Sequence, residues 1–330
     1  MSVIGIDVSK PHLDVVLLDE QGKAVDEQRV VNESKALGKL IARWQRGGKC
    51  GAAPLVCLEA TGHYGYRAIK ALLDMGLRTW VAHPADIQLS LGMQRGKSDK
   101  VDARRIAWYA FKHPEKTQLI EANYLHFEEL KTLLSSREFF VRARAKCYAQ
   151  LQDNVRFLPK EVATPLKREL QRQVKSLDKS VATLDARIEA FVAADDQVSA
   201  KRELARSVTG IGKVVANELL AVTRGFTRLT EPRKLACYAG LAPFEHSSGK
   251  SVRGRTRVSH RANKHLKSLL HLAAMAAVRR KGDLQTYYLR KVADGKKPIS
   301  AINAVRNKIV HHLCAVLASG NPYKPFLQQP

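Results

Sequence analysis

The sequence predicts an α/β amino-terminal domain, a long helical hairpin and a mainly α-helical carboxyl-terminal domain. Three observations lead to this prediction. Strand-like segments alternate with helical ones up to residue 118, residues 121–195 contain no glycine and show helical spacing, and most of the positive charge lies after residue 199. We therefore divide the 330 residues into domains at 1–118, 119–199 and 200–330.

The first domain opens with three predicted strands, Val3–Val8, His12–Leu18 and Ala24–Val31, with a turn at residues 19–22. The chain then alternates between apolar strand segments and helical periodicity, with a helix start signal at Ser98 and a stop signal at Gly76. The expected elements are helix Glu33–Gln45, strand Pro54–Ala60, helix Tyr64–Met75, strand Arg78–Ala82 and helix Ser98–Phe111. This βββ-α-β-α-β-α order predicts helices packed on a mixed sheet.

The middle segment predicts two long antiparallel helices. After a proline-bounded break near residues 159–165, apolar residues recur every three or four positions, close to a coiled-coil seam. The series is Leu166, Leu170, Val174, Leu177, Val181, Leu184, Ile188 and Phe191. We interpret the pair as a coiled-coil hairpin, with an ordinary helical bundle as the alternative. Either arrangement suits a spacer or a dimerisation arm.

The carboxyl-terminal third carries most of the positive charge. It contains 25 Lys and Arg against 6 Asp and Glu, within a chain of net charge +25. Its pattern is mainly helical, with a Gly/Ser/Arg-rich insert at 245–262 and a last helix that starts at Pro298 and stops before Gly320. A field this positive indicates a polyanionic partner such as nucleic acid.

Composition excludes several other classes of protein. No apolar run reaches the roughly 18 residues that a membrane span needs, and residues 1–7 lack the basic start of a secretory signal. The cysteines are scattered, without CxxC pairs or Cys/His clusters, so we expect neither a zinc site nor a disulfide framework. These features predict a cytoplasmic protein with no membrane partner.

Four carboxylates form the first candidate site. Asp7 lies within an apolar strand and Glu59 ends another, while Asp99 and Asp102 share one face in the first turn of a helix. Each acid alone also suits an ordinary strand end or helix amino terminus. A buried carboxylate is costly unless it is paired or binds a cation. Together the four suit Mg²⁺ or Mn²⁺, and two such ions about 4 Å apart can drive an in-line phosphoryl displacement.

The second candidate is the turn at residues 209–216, where Gly210, Gly212 and Lys213 separate two predicted helices. Glycines let backbone N–H groups approach a phosphate, and the next helix amino terminus adds its dipole. The pattern resembles a helix-hairpin-helix that binds the DNA backbone without reading sequence. A plain turn between helices is the alternative.

The third candidate is a basic segment without acids, from His246 to Gly282. Arginines stand at every second position, Arg253, Arg255 and Arg257, so a strand would place all three on one face, where they would neutralise phosphates. The residues that we assign to nucleic-acid binding here are Lys250, Arg253, Arg255, Arg257, Arg261 and Lys264.

A serine in the same field is a candidate nucleophile. Ser248 stands beside a glycine, and the surrounding cations would stabilise charge at an attacked phosphate. Ser247 and Ser251 are close alternatives, and all three serines also suit simple turn formation.

Several motifs, taken in chain order, resemble the DEDD transposases of bacterial insertion sequences, a family that includes pilin-gene inversion recombinases. The match begins with Ile4-Gly5-Ile6-Asp7-Val8-Ser9-Lys10. It continues, over most of the chain, with Leu58-Glu59-Ala60-Thr61-Gly62, Lys97-Ser98-Asp99-Lys100-Val101-Asp102-Ala103, Gly210-Ile211-Gly212 and Tyr238-Ala239-Gly240-Leu241-Ala242-Pro243 followed by Ser248-Gly249.

The resemblance implies a RuvC-like, RNase H-type first domain, a coiled-coil insertion and a carboxyl-terminal transposase domain. It implies that Asp7, Glu59, Asp99 and Asp102 hold Mg²⁺ and that a serine, best carried onto Ser248, forms a covalent phosphoserine link to DNA. It also implies double-stranded donor and target DNA, a structured non-coding guide RNA and further copies of the chain, up to a tetramer, as partners. We therefore expect a transposase or site-specific recombinase of the bacterial nucleoid.

The residues leave three other functions open. A hydrolytic nuclease or junction resolvase would use the same acids without a covalent intermediate. An actin-like kinase also begins with an Ile-Gly-Ile-Asp strand, but it needs further Gly-rich phosphate loops, which residues 120–200 do not contain. A non-catalytic nucleic-acid scaffold explains the charge and leaves Asp7 and Glu59 unexplained.

Overall fold

The computed structural model describes residues 1–60, 62–90, 99–153, 155–242, 244–248, 252–259 and 261–325, and for residues 99–100, 244–248 and 252–257 it describes the backbone alone. The chain forms two compact units, Met1–Glu128 and Glu129–Pro330. The three domains divided at residues 118 and 199 stay a prediction. In the described part of the chain, no helix combines the length and apolar character that crossing a membrane requires.

The described strands of the first unit form one mixed sheet in the order β3-β2-β1-β4-β5. β1, β2 and β3 make an antiparallel meander, and β4 and β5 run parallel to β1. The strands are β1 (Val3–Val8), β2 (His12–Leu18), β3 (Ala24–Val31), β4 (Leu55–Glu59) and β5 (Arg78–Ala82). The predicted mixed α/β domain is confirmed, and this sheet agrees with the RNase H-type domain that the resemblance implies.

Helices cover both faces of this sheet. They are α1 (Ser34–Arg46), α2 (Tyr66–Asp74), α3 (Pro84–Ser90) and α4 (Asp99–Lys112). Alternate residues of β1 and β4 pack with α1 and α2, and the intervening ones pack with α4. Gly76 has the positive φ of 67° expected of a helix stop. Helix α3 was not predicted between strand Arg78–Ala82 and the helix expected from Ser98, although it begins at a proline, which suits a first helical position. Ser98, the expected cap of α4, lies outside the described residues.

Helix and sheet approach each other closely at Gly5. A Cβ atom added there would lie 2.4 Å from the backbone nitrogen of Ala107 and 2.5 Å from the carbonyl oxygen of Ala103. The carboxyl-terminal end of α4 also lies close to the sheet, since a Cβ added at Gly22 would lie 2.7 Å from the Phe111 ring. Gly22 lies in the turn beside the start of β1. Helix α4 therefore runs antiparallel to β1, and its first turn points toward the carboxyl end of that strand.

Two long helices follow, α5 (Tyr124–Gln152) and α6 (Lys160–Ala193). Arg137 pairs with Asp185 at 2.5 Å and Arg144 with Asp178 at 2.6 Å. From the first pair to the second, the residue number rises by seven in α5 and falls by seven in α6, so the two helices run antiparallel. The coiled-coil packing of this hairpin stays a prediction. The prediction that the break between the two helices extends to residue 165 is wrong, because α6 starts at Lys160 and contains Pro165.

The rest of the second unit is a helical assembly that carries a two-stranded hairpin. Its core is built from buried residues of several helices, such as Leu219, Leu270, Val305 and Ile309. The last helix begins at Pro298 and ends before Gly320, as expected. The elements are α7 (Asp196–Ser207), α8 (Lys213–Thr223), α9 (Pro232–Tyr238), β6 (Phe244–Ser248), β7 (Val252–Arg257), α10 (Lys264–Val278), α11 (Asp283–Ala293) and α12 (Pro298–Ser319).

The contact at Gly5 gives a test of the fold. We expect Gly5→Ala to destabilise the first unit by about 1–3 kcal/mol, because its methyl group would press on the backbone of α4. Gly38→Ala, inside α1, is the control. Its Cβ would meet only the sulfur of Met75, at 3.8 Å, and we expect a gain of up to about 1 kcal/mol. Denaturant unfolding of both variants measures the difference, and equal stabilities would contradict this account.

Candidate active site and nucleic-acid interface

Asp7 and Glu59 lie side by side at the carboxyl ends of two neighbouring parallel strands. β1 and β4 are in register at Ile6 and Leu58, and each acid is the next residue along its strand. Both side chains are half-buried, and both have polar or electrostatic partners. The sequence expectation that two strand ends bring these acids together therefore agrees with the backbone geometry.

Both acids belong to the sheet face that α4 covers. Side chains alternate between the faces of a strand. Val3 of β1 and Cys57 of β4 pack in the same cluster as Ala103 and Ala107 of α4, whereas the residues between them pack in the opposite cluster. Asp7 and Glu59 continue the series of Val3 and Cys57. The amino-terminal turn of α4, with Asp99 and Asp102, points toward the same end of the sheet.

Asp102 is already paired with a cation. The guanidinium of Arg105, one turn along α4, donates a hydrogen bond from Nη1 to Asp102 Oδ1 at 2.8 Å. The two side chains are 19% and 26% exposed, so the pair is partly shielded from water. Asp99 is the first residue of α4, and its side chain lies outside the described residues. One of the four predicted acids thus lacks a described side-chain position.

A further carboxylate, Asp14, lies on the same face, and the sequence analysis missed it. Asp14 is paired in register with Asp7 on the neighbouring strand β2 and is only 3% exposed. Arg29 of β3 donates to both of its carboxylate oxygens, from Nε at 3.0 and 3.2 Å and from Nη2 at 2.9 Å. An acid in the apolar strand His12–Leu18 was the available signal, the same one that identified Asp7.

These acids fit a divalent metal by their chemistry. Carboxylate oxygens are the ligands that Mg²⁺ and Mn²⁺ prefer. Among the residues whose side chains are described, which exclude Asp99, no three His, Cys, Asp or Glu side chains gather closely enough to form a metal site. The geometry therefore brings Asp7, Glu59 and the start of α4 to one end of the sheet without an assembled ligand set.

The glycines of the Gly210–Gly212 turn differ in their surroundings. Gly210 has φ +96°, and an added Cβ would lie 2.3 Å from the carbonyl oxygen of Ala273 in α10. Packing between helices alone therefore requires a glycine there. Gly212 has open space around it and precedes the exposed Lys213 at the start of α8. Lys213 lies 3.7 Å from Glu189, so its charge is partly balanced.

The described part of the Tyr238–Pro243 motif, residues 238–242, packs against the segment before α10 and against α12. Gly240 has φ +65°, and an added Cβ would lie 2.8 Å from the Cβ of Ala262. The backbone nitrogen of Asn263 donates to the Tyr238 carbonyl at 2.8 Å, and Asn303 Nδ2 donates to the Leu241 carbonyl at 3.1 Å. The glycine of this motif thus lets the turn after α9 pack against the segment before α10.

Ser248 is the last residue of β6 and pairs in register with Val252 at the start of β7. Ser247 pairs with Arg253, and the register shifts between Phe244 and His246, so the even alternation expected along β7 is interrupted by an extra residue. Arg255 and Arg257 lie in β7, and Arg261 and Lys264 are exposed. Lys250 and Ser251 lie outside the described residues.

Comparison with known proteins bears on both units. A DEDD transposase profile of the IS110 group matches residues 4–158, and a profile described as "Transposase IS116/IS110/IS902 family" matches residues 202–289. The pilin gene-inverting protein of Moraxella lacunata is 26% identical over 270 residues, which cover 81% of this chain and 80% of that protein.

Two further proteins show the extent of the likeness. The transposase for insertion sequence element IS1111A of Coxiella burnetii is 22% identical over 359 residues, which cover 98% of this chain and 92% of that protein. The solved structure of T. thermophilus RuvC with a Holliday junction substrate covers 36% of this chain and 100% of that chain, at 16% identity and a TM-score of 0.27. From the two profile matches and the sequence relatives, the chain belongs to the DEDD transposase/recombinase family of insertion sequences and is a DNA transposase/recombinase.

Proposed function

We propose that this transposase cuts and rejoins donor and target DNA with the carboxylate site Asp7, Glu59, Asp99 and Asp102 and the nucleophile Ser248. The observation that carries the proposal is the position of two half-buried acids at adjacent strand ends, on the sheet face that α4 covers and at the end toward which its first turn points. Carboxylate oxygens placed together at one end of a sheet are the ligands that a shared Mg²⁺ or Mn²⁺ ion prefers.

The four carboxylates would hold Mg²⁺ or Mn²⁺. When bound, such an ion supplies positive charge that polarises a phosphate and stabilises a leaving oxygen. The protein's own part is to hold the carboxylates on rigid elements, two strands and the helix packed on them. Arg105, which pairs with Asp102, balances the charge of that acid in the absence of an ion.

Ser248 would attack the scissile phosphorus through its hydroxyl oxygen. A serine–phosphorus bond forms, the phosphorus–oxygen bond of the DNA strand breaks, and the departing oxygen takes the proton that the serine loses. A hydroxyl of another strand then attacks the phosphoserine and releases the serine with its proton. One phosphoester bond replaces another at each step, so no ATP is required. The acids and the serine can come from one copy of the chain or from two.

The proposed partners are DNA, a structured guide RNA that selects sequences by pairing, and further copies of the chain. The residues after position 199 include 25 basic and 6 acidic ones, and this positive charge supports a nucleic-acid partner. Oligomerisation is supported by apolar side chains exposed where α5 ends and α6 begins, among them Tyr148 (46% exposed), Phe157 (85%) and Val162 (52%). The relative from Moraxella lacunata is named for gene inversion, a DNA rearrangement.

A hydrolytic nuclease is the second candidate function, because the same acids suit hydrolysis at a junction. It would leave strands with free ends and no protein–DNA adduct. The nucleophile is therefore the feature that separates the two functions.

Removal of the first acid tests the carboxylate site. We expect Asp7→Asn to lower recombination by at least about a hundredfold, since several kcal/mol of charge stabilisation are lost. DNA binding should survive, because the basic residues are unchanged. Asp74→Asn is the control, since Asp74 is an exposed acid paired with Lys70. A product assay and a band-shift assay with the element's own ends measure the two properties. Recombination by Asp7→Asn at the wild-type rate would refute the carboxylate site.

Replacement of the serine tests the nucleophile. We expect Ser248→Ala to abolish both recombination and the covalent protein–DNA adduct on a denaturing gel, because the alanine has no hydroxyl. Ser247→Ala and Ser251→Ala are matched controls and should keep the adduct. If Ser248→Ala still cleaves DNA while every variant lacks an adduct, the hydrolytic nuclease is the correct function.

The basic hairpin strand gives a prediction about binding. We expect Arg253→Ala to weaken DNA binding evenly across sequences and to lower the slope of log affinity against log salt by about 1. Titrations at several salt concentrations measure that slope, with Arg46→Ala on the exposed side of α1 as the control. An unchanged slope would show that Arg253 makes no phosphate contact.

A further inference from the structure

Helix α4 presents an aromatic and basic face on the side opposite the sheet. Ala103, Ile106, Ala107 and Ala110 face the sheet and are buried. The outer face has Arg104, Arg105, Trp108 and Lys112 at helical spacing. Beyond its first turn α4 contains no acidic residue.

A groove of about 400 Å³ runs along this outer face. Its lining includes Ser90, Arg104, Arg105, Trp108, Lys112 and His113. Trp108 is 38% exposed, whereas the other tryptophans of the chain, Trp44 and Trp80, are 1% and 4% exposed. The Trp108 ring is supported from one side by Phe111, at a centroid distance of 6.0 Å and an interplanar angle of 75°.

The cations around Trp108 retain donors that a phosphate could accept from. Lys112 Nζ lies over the Trp108 ring, 4.8 Å from its centroid. This cation–π attraction is the contact described for the Lys112 ammonium group. Arg104 donates from Nε and Nη2 to the two carboxylate oxygens of Glu27, and its side chain is 55% exposed. A guanidinium has five N–H donors, so those that Glu27 does not use can donate to a phosphate. An aromatic ring flanked by such cations is the arrangement that binds unpaired nucleotides, by stacking and by charge.

The groove adjoins the candidate active site. Arg105 lines the groove and also bonds Asp102. Trp108 follows Asp102 by six residues, which is about 9 Å along a helix axis. That distance corresponds to two or three nucleotides of a strand that keeps the rise of duplex DNA, about 3.4 Å per nucleotide.

We propose that the α4 groove binds an unpaired base of the DNA strand that the acid site cleaves, with the base stacked on Trp108 and its phosphates contacted by Arg104, Arg105 and Lys112. The proposal rests on the proposed function, because the acid site gives the strand its position. The groove would hold the strand open within two or three nucleotides of the scissile phosphate.

The test is the binding of a fluorescent single-stranded 20-nucleotide DNA to the full chain in EDTA, where no cleavage occurs. We expect Trp108→Ala to weaken binding about tenfold, within the range that alanine substitution gives for one stacked base. Trp108→Phe should stay within about threefold of wild type, because a ring remains. Phe139→Ala, a loss of another exposed aromatic ring (67% exposed), should leave binding unchanged.

Three results would overturn the proposal. They are unchanged binding by Trp108→Ala, an equal loss for duplex DNA of the same sequence, and a loss confined to an RNA oligomer of that sequence. A loss shared by single-stranded DNA and RNA supports it, since stacking does not read the sugar. DNA should also quench tryptophan fluorescence in the wild type and not in Trp108→Phe, because the remaining tryptophans are buried.

The binding assay and the recombination assay fail independently. If Trp108→Ala weakens single-strand binding but the wild-type chain does not recombine DNA, the proposed function is refuted and the groove proposal stands. A chain that recombines DNA, with Trp108→Ala binding single strands as well as the wild type does, would refute the groove alone.

Discussion

The candidate site depends on one contact, the approach of helix α4 to strand β1 at Gly5. Ala103 and Ala107 lie so close to the strand that no side chain fits at position 5. This contact places α4 along β1, and the contact between Phe111 and Gly22 determines which way the helix runs. Because the helix is antiparallel to the strand, its first turn reaches the strand ends that carry Asp7 and Glu59. The glycine of the Ile4-Gly5-Ile6-Asp7 motif is therefore as much a part of the site as the acid two residues later.

A fold that collects carboxylates on one face must balance their charge. Asp14, almost fully buried beside Asp7, is balanced by a guanidinium that contacts both of its oxygens. Asp102 is balanced by Arg105. Pairing with a guanidinium lowers the repulsion that these two extra acids would otherwise add. Arginine suits this task, because its charge is permanent and its planar group matches a carboxylate.

Much of this organisation could be predicted from sequence, and the exceptions have physical causes. The strands, most helices of the first unit and the last helix have strong apolar periodicity and clear end signals, so their predicted bounds agree with the structure within a few residues. Helix α3 was missed because a proline can end a strand or start a helix. Asp14 shares with Asp7 the signal of an acid in an apolar strand, but its position beside Asp7 and its pairing with Arg29 depend on strand register, which the sequence pattern does not specify. Gly210 suggested phosphate contact, whereas its tight packing on α10 appears only in three dimensions.

The two faces of α4 show how one helix can serve both the fold and the chemistry. Small residues, chiefly alanine, form the inner face, since only small side chains allow the backbone to reach Gly5. This leaves the larger residues, Trp108 and the cations, to the outer face, where stability does not demand them. Arg105 stands between the two faces and contacts Asp102. One side chain therefore belongs both to the acid site and to the lining of the groove.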